Sequence, residues 1–136
     1  NTRSRGLGDV YKRQSLENLE DFTNHTSFRN NSVSHKQFIN LQKMFTKSIR
    51  HEVIDLHHEK STLSGLNALN DFFDKCFGKI THLKIIHGKG NHSRNNCSPM
   101  RSMVRKFLLN TSIVLAFCEA ELKDGGNGAT YVLIKK

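Results

Sequence analysis

Two short apolar runs of this chain each end in polar side chains of the kinds that move protons and bind phosphate. The first run ends in Asp55 and His57, and the second ends in His87 and Lys89. Imidazoles exchange protons near neutral pH, a carboxylate can orient one of them, and a lysine beside glycine amides attracts an anion. The pattern therefore indicates general acid–base chemistry on a phosphate group.

These side chains need two strands to position them. Strands are predicted at 53–56 and 82–87, with a helix over 62–77 between them that Ser61 or Thr62 can cap. In open α/β sheets, ligands bind where parallel strands end at their carboxyl ends. We therefore expect all four side chains to surround one small pocket.

The rest of the chain predicts a second helix and two further strands. Ser98 and Pro99 are typical of a helix start, and apolar residues at helical spacing follow them. Strands are predicted at 113–119 and 129–134, joined by a glycine-rich turn. The order βαβαββ predicts an α/β fold, an α+β sandwich of one mixed sheet and two helices, in which the final hairpin adds an antiparallel edge.

Composition divides the chain into three segments. Residues 1–14 end in DVYKRQ, which resembles the translated end of a sequencing adaptor, so this segment is predicted to be non-native. Residues 15–48 are predicted to be an N-terminal extension, disordered or helical. Its first part, 15–36, is rich in Asn, Ser and Thr, and the apolar residues after Lys36 have helical spacing. Residues 49–136 hold the compact domain.

The charge and the cysteines limit the kinds of partner and the cellular compartment expected for this protein. The formal charge is +9, which favours a polyanionic partner such as RNA, DNA or the ribosome. No apolar stretch is long enough to span a bilayer, so no membrane partner is expected. The three cysteines lack CxxC spacing, which favours a reducing cytoplasm, and Cys76 and Cys118 fall among apolar residues and are predicted to be buried thiols. The protein is expected to be a monomer.

With the motifs in this order, residues 50–136 resemble a Smr (small MutS-related) domain. The family shares an Asp-Leu-His-Gly motif, a His-Gly-x-Gly motif and a glycine-rich turn before the last strand, which here correspond to 55–58, 87–90 and 124–130. The arrangement is most similar to the small stand-alone proteobacterial Smr proteins. The resemblance implies a fold like the C-terminal domain of bacterial translation initiation factor 3, together with nucleic-acid binding and endonuclease activity on DNA or RNA.

The candidate site residues fall into three groups. They are Asp55, His57 and His87 for catalysis, Gly88, Lys89 and Gly90 for phosphate binding, and His58, Arg94, Arg101, Arg105 and Lys106 for nucleic-acid binding. Asp55 and His57 share a strand face, so the carboxylate can orient the imidazole. His87 is the complementary proton donor. His58 replaces the glycine of the family motif and adds another imidazole.

Each assignment has a plain structural alternative that the residues leave open. Asp55 can cap a turn, His87 can belong to an ordinary strand-to-loop turn, His58 can be an exposed bystander, and the arginines can form a solvated helix face. A zinc site formed by His57 and His87 with the loop residues His92 and Cys97 fits no standard spacing. Mg²⁺ held through Asp55 and phosphate oxygens is the alternative ion, and no cofactor is required.

The primary hypothesis is an endonuclease that uses His and Asp for acid–base catalysis. On RNA, the 2′-hydroxyl is a built-in nucleophile, so His57 and His87 can act without a metal. On DNA, water must attack, and a metal ion would help more. The alternatives are a nucleic-acid or ribosome binding module that lost cleavage through the His58 change, and a metal-stabilised interaction domain without catalysis.

Overall fold

Five strands form one mixed sheet in the computed structural model, which describes residues 26–89 and 98–136. The strands are β1 (Phe28–Arg29), β2 (Glu52–Asp55), β3 (His82–Ile86), β4 (Val114–Glu119) and β5 (Ala129–Ile134). Their order across the sheet is β1-β4-β5-β3-β2. The pair β2 and β3 is parallel, whereas β5 runs antiparallel to both of its neighbours. The sheet therefore has the parallel pair that the sequence predicts.

The helices of the described residues are α1 (His35–Gln42), α2 (Thr62–Cys76) and α3 (Pro99–Leu109). The side chains of Ser61 and Ser98 each accept a hydrogen bond from a backbone amide in the first turn that follows, which confirms both predicted helix starts. Gly78 lies just past the end of α2 with a φ of +82°, a left-handed conformation that glycine adopts without strain. This glycine therefore allows the chain to leave the helix at the end of α2.

The prediction that the final hairpin adds an edge to the sheet is wrong. Strand β5 lies between β3 and β4, and all six of its residues are buried. A strand covered on both faces carries a continuous apolar run and not an alternation of apolar and polar residues. The segment from Ala129 to Ile134 has no charged residue, which is the pattern of a central strand.

Each face of the sheet is covered by its own helices. The face under α2 and α3 holds one apolar core, which includes Leu83 and Ile85 of β3. The opposite face holds a second core, where Leu41 and Met44, in α1 and just after it, pack against Tyr131. Part of the predicted N-terminal extension therefore covers the sheet, and β1 also pairs with β4. Residues 1–25 lie outside the described residues, so the interpretation of 1–14 as non-native stays a prediction.

The buried thiols agree with the sequence analysis. Cys76 and Cys118 are both buried, and burial raises the pKa of each thiol, to about 12 for Cys118. Among the described residues, the helices are too short or too polar to cross a lipid bilayer.

Candidate functional site

Parallel pairing brings the ends of β2 and β3 side by side. Asp55 is the register partner of Ile86, and the Leu56 amide donates to the Ile86 carbonyl at 2.7 Å. The two turns that follow are in contact, since a Cβ at Gly88 would lie 3.4 Å from the Cβ of His57. The backbone juxtaposition predicted from the sequence is confirmed.

Asp55 orients the imidazole of His57. The Nδ1 atom of His57 hydrogen-bonds to Asp55 Oδ1, and the His57 backbone amide donates to the same oxygen at 3.0 Å. Partial burial raises the pKa of Asp55, but these bonds and the nearby imidazoles outweigh burial and hold it below its usual value. An ionised Asp55 therefore keeps a proton on Nδ1, which leaves Nε2 as the nitrogen for proton exchange.

His87 is held in a different way. Its Nδ1 lies 2.9 Å from the Gly88 carbonyl oxygen, and its Nε2 lies 2.9 Å from Thr130 Oγ1. A carbonyl oxygen only accepts, so Nδ1 donates and Nε2 accepts the Thr130 hydroxyl proton. Burial, with the nearby positive charges of Arg105 and Arg101, lowers the pKa of His87 to about 4, although the Gly88 bond raises it. At neutral pH this imidazole is uncharged, with both nitrogens engaged.

Of the four side chains predicted to surround one pocket, His57 and Lys89 line the same cleft, and Asp55 acts there only through its bond to His57. The prediction is wrong for His87. Successive side chains of a strand point to opposite faces, and His87 has the same parity as Leu83 and Ile85, which lie in the core under α2 and α3. Ile86 and Gly88 have the other parity and line a cleft with His57. The sheet therefore separates the two imidazoles, and a part for His87 in the chemistry stays a prediction.

The cleft beside His57 has a volume of about 400 Å³ and a cationic lining. It is lined by His57, Lys84, Ile86, Gly88, Lys89, Lys123, Asp124, Gly125, Gly128 and Ala129. Small glycines leave room for a ligand close to the backbone, and lysines supply positive charge for phosphate. The backbone amides of His87 and Gly88 donate to the Gly128 carbonyl at 3.1 and 2.9 Å, so these two amides are already engaged and Lys89 supplies the positive charge in this turn.

A polar network under the cleft positions the turn that carries Lys123. Lys84 Nζ donates to Asp124 Oδ1 at 2.8 Å, and the Tyr131 hydroxyl donates to Asp124 Oδ2 at 2.6 Å. Burial raises the pKa of Asp124, but these two hydrogen bonds outweigh it and hold the pKa below its usual value. Burial, aided by the Asp124 carboxylate, raises the pKa of Tyr131. Asp124 therefore stays ionised and fixes the turn over the sheet.

Sequence reasoning missed Lys84, Lys123 and Asp124 as site residues. A signal for Lys84 was present, because it is the one charged residue inside the otherwise apolar segment from Leu83 to Ile86. A half-buried lysine is stabilised by an anionic partner, and Asp124 in the glycine-rich turn is that partner.

The basic residues predicted on α3 are buried in the structure. Arg101, Arg105 and Lys106 are buried, and Arg105 forms an ion pair with Glu119 at 3.2 Å. This arrangement differs from a solvated helix face that offers charges to a nucleic acid. Their predicted role in binding stays untested, and Gly90 and Arg94 lie outside the described residues, as do His92 and Cys97.

His58 adds a third ionisable group at the end of β2. It is exposed, and its ring centroid lies 3.6 Å from that of His57. Asp55, His57 and His58 form the one group of three potential metal ligands found among residues 26–89 and 98–136.

Comparison with known proteins relates this geometry to one family. The model of the Smr domain family matches residues 54–135. A 57-residue stretch is 37% identical to the "Probable DNA endonuclease SmrA" of Escherichia coli (strain K12), covering 42% of this chain. That stretch corresponds to only 30% of the length of the relative.

Two crystal structures share the fold at 22% sequence identity. YdaL, a stand-alone small MutS-related protein from Escherichia coli, superposes with a TM-score of 0.74 over 94% of this chain and 96% of its own. The Smr domain of Thermus thermophilus MutS2 superposes with a TM-score of 0.54 over 62% of this chain and 99% of its own. These likenesses confirm the mixed α/β fold predicted from the sequence.

Proposed function

Because the chain belongs to the Smr domain family, we propose that it is an endonuclease that cleaves phosphodiester bonds in RNA or DNA. One observation carries the proposal: the Asp55-oriented imidazole of His57 opens onto a cleft lined by three lysines. A relative named as a probable DNA endonuclease supports the same class of reaction. The basic character of the chain supports a polyanionic substrate.

His57 is the proton-transfer group of the proposed reaction. Its Nε2 accepts the proton of the attacking hydroxyl, which is the 2′-hydroxyl in RNA or water in DNA. The oxygen then forms a bond to phosphorus as the bond to the leaving oxygen breaks, and the leaving oxygen takes up a proton from solvent. The Asp55 carboxylate, already bonded to Nδ1, stabilises the imidazolium produced in this step.

The cleft lysines bind the phosphate on which the reaction takes place. Lys89 and Lys123 both line the cleft with His57, so their charges can offset the negative charge that develops on the phosphoryl oxygens. Lys84 acts through Asp124, because it is tied to that carboxylate and fixes the turn of Lys123. Lys89 and Lys123 therefore contact the phosphate, whereas Lys84 positions the turn.

A cleavage assay tests the proposal. End-labelled RNA and DNA of the same sequence are incubated with the full chain, with and without EDTA, and the product ends are analysed. Cleavage of RNA with cyclic phosphate ends that survives EDTA would identify attack by the 2′-hydroxyl. Cleavage of DNA that EDTA abolishes would identify attack by water with a metal ion.

Two variants separate a real activity from contamination. His57→Ala should lose the cleavage, whereas His35→Ala, which removes an exposed imidazole at the start of α1, should keep it. Nucleic-acid binding without any cleavage by the wild type would overturn the endonuclease and favour the binding module. Equal cleavage by wild type and His57→Ala would remove His57 from the mechanism.

A further inference from the structure

The last residue of β2 and the turn after it carry three potential metal-ligand side chains. We propose that Asp55, His57 and His58 bind a divalent transition-metal ion such as Zn²⁺. One potential ligand atom from each residue lies within 4.8 Å of the other two. The spacing is close enough for small side-chain rotations to bring all three atoms around one ion.

The backbone holds the three side chains together. Asp55 is the last residue of β2, and the buried side chain of Leu56 anchors the chain in the core directly after it. His57 and His58 follow in a turn that is closed by a hydrogen bond from the Glu59 amide to the Leu56 carbonyl at 3.0 Å. Because the turn is already formed, an ion has to order little besides side-chain rotamers.

The donor set selects the class of metal. Two imidazole nitrogens with one carboxylate oxygen suit zinc, nickel or copper, whereas magnesium prefers an all-oxygen environment. Three protein ligands complete three of the four positions of a tetrahedral zinc site and leave one to water or another small ligand. All three residues are exposed, so an ion can enter without any opening of the fold.

His58 distinguishes this site from a general property of the Smr domain. The family motif has glycine at this position, and glycine offers no ligand. Asp55 and His57 alone would give only two protein ligands. The planes of the His57 and His58 rings are tilted by 42° and their centroids lie 3.6 Å apart, so the added imidazole lies directly against the first one.

Calorimetric titration of the full chain with zinc chloride, in the absence of nucleic acid, tests the proposal. The wild type should bind an ion that His58→Ala binds about tenfold more weakly or worse, since losing even an outer-shell partner costs about 10–100-fold in affinity. His35→Ala is the matched control and should bind as the wild type does. Far-UV circular dichroism should show the same fold in all three proteins.

A second readout identifies the coordination. Co²⁺ should give a visible absorption band in the wild type that zinc displaces and that His58→Ala loses. Absence of zinc binding by the wild type, or equal binding by wild type and His58→Ala, would overturn the proposal. Neither readout requires cleavage, so the metal site and the proposed endonuclease can fail independently.

Discussion

Two adjacent strands end in a histidine-bearing turn, yet the two imidazoles have opposite environments. The side chain of His57 is 42% exposed and hydrogen-bonded to a carboxylate, whereas His87 is 3% exposed and bonded to a hydroxyl and a carbonyl. The first arrangement favours proton exchange with a bound substrate. The second holds the turn of Gly88 against β5.

The positions of the strands explain this difference. Strand β2 is at the edge of the sheet, so the turn that follows it borders solvent. Strand β3 lies between β2 and β5, and the alternation of its side chains directs His87 toward the core under α2 and α3. The chemistry available to each histidine therefore follows from the place of its strand in the sheet.

The largest expected effect is on catalysis. His57→Ala should lower the single-turnover cleavage rate by a factor on the order of 10²–10⁴, because it removes the proposed proton acceptor. Affinity for the nucleic acid should stay nearly unchanged, since the lysines of the cleft remain. Rapid-quench kinetics at saturating protein would measure the rate, and fluorescence anisotropy the affinity. Lost affinity with a normal saturating rate would reverse the assignment.

His87→Ala should act on stability first. The change leaves the Gly88 carbonyl and the Thr130 hydroxyl without this partner and creates a cavity, so unfolding should become easier by about 2–4 kcal/mol. Urea denaturation followed by circular dichroism would measure the loss. His58→Ala removes an exposed imidazole of the same size and should change stability little. Equal stability of His87→Ala and wild type would refute the structural role of His87.

The strand order shows what the sequence could and could not predict. Apolar runs and cap residues such as Ser61 and Ser98 act locally, so the helix starts and the parallel pair were predictable. The insertion of β5 between β3 and β4 depends on pairing between residues far apart in the chain. The Asp55–His57 pair was also predictable, because only one residue separates the two side chains in the sequence, although His57 lies in the turn after β2 and not on the strand.

The cleft was harder to predict from the sequence. The bond between Lys84 and Asp124 joins residues 40 positions apart, and only the fold brings them together. The burial of Arg101 and Arg105 also depends on the fold, so it could not be predicted from the sequence. Basic residues at helical spacing look the same in the sequence whether the helix face is solvated or covered.

The depressed pKa of His87 predicts a loss of stability on acidification. The unfolded chain binds a proton on this side chain below a pH of about 6.5, whereas the folded chain binds it only below about 4. The native state therefore loses stability as the pH falls from 6.5 toward 4. At pH 5, the loss relative to neutral pH should be about 2 kcal/mol from this group.

His87→Gln is the control for this prediction, because glutamine can hydrogen-bond but does not titrate. Urea denaturation at a series of pH values should give a shallower slope for this variant than for the wild type between pH 6.5 and about 4. Asp55 and Asp124 have lowered pKa values, so their contributions are lost at lower pH than this window. The same slope in both proteins would show that His87 titrates normally in the folded state.

The smallest expected effect is on the affinity for nucleic acid and its salt dependence, compared between lysines on the two faces of the sheet. Lys123 lies in the cleft on the side of His57, with its Nζ 5.5 Å from the centroid of the Phe45 ring. Lys123→Ala should weaken nucleic-acid binding a few-fold at low salt and reduce the slope of log K against log salt by about one. Lys75→Ala, in the last turn of α2 on the other side of the sheet, is the matched control and should leave the slope unchanged. Equal slopes for wild type and Lys123→Ala would remove this lysine from the phosphate-binding surface.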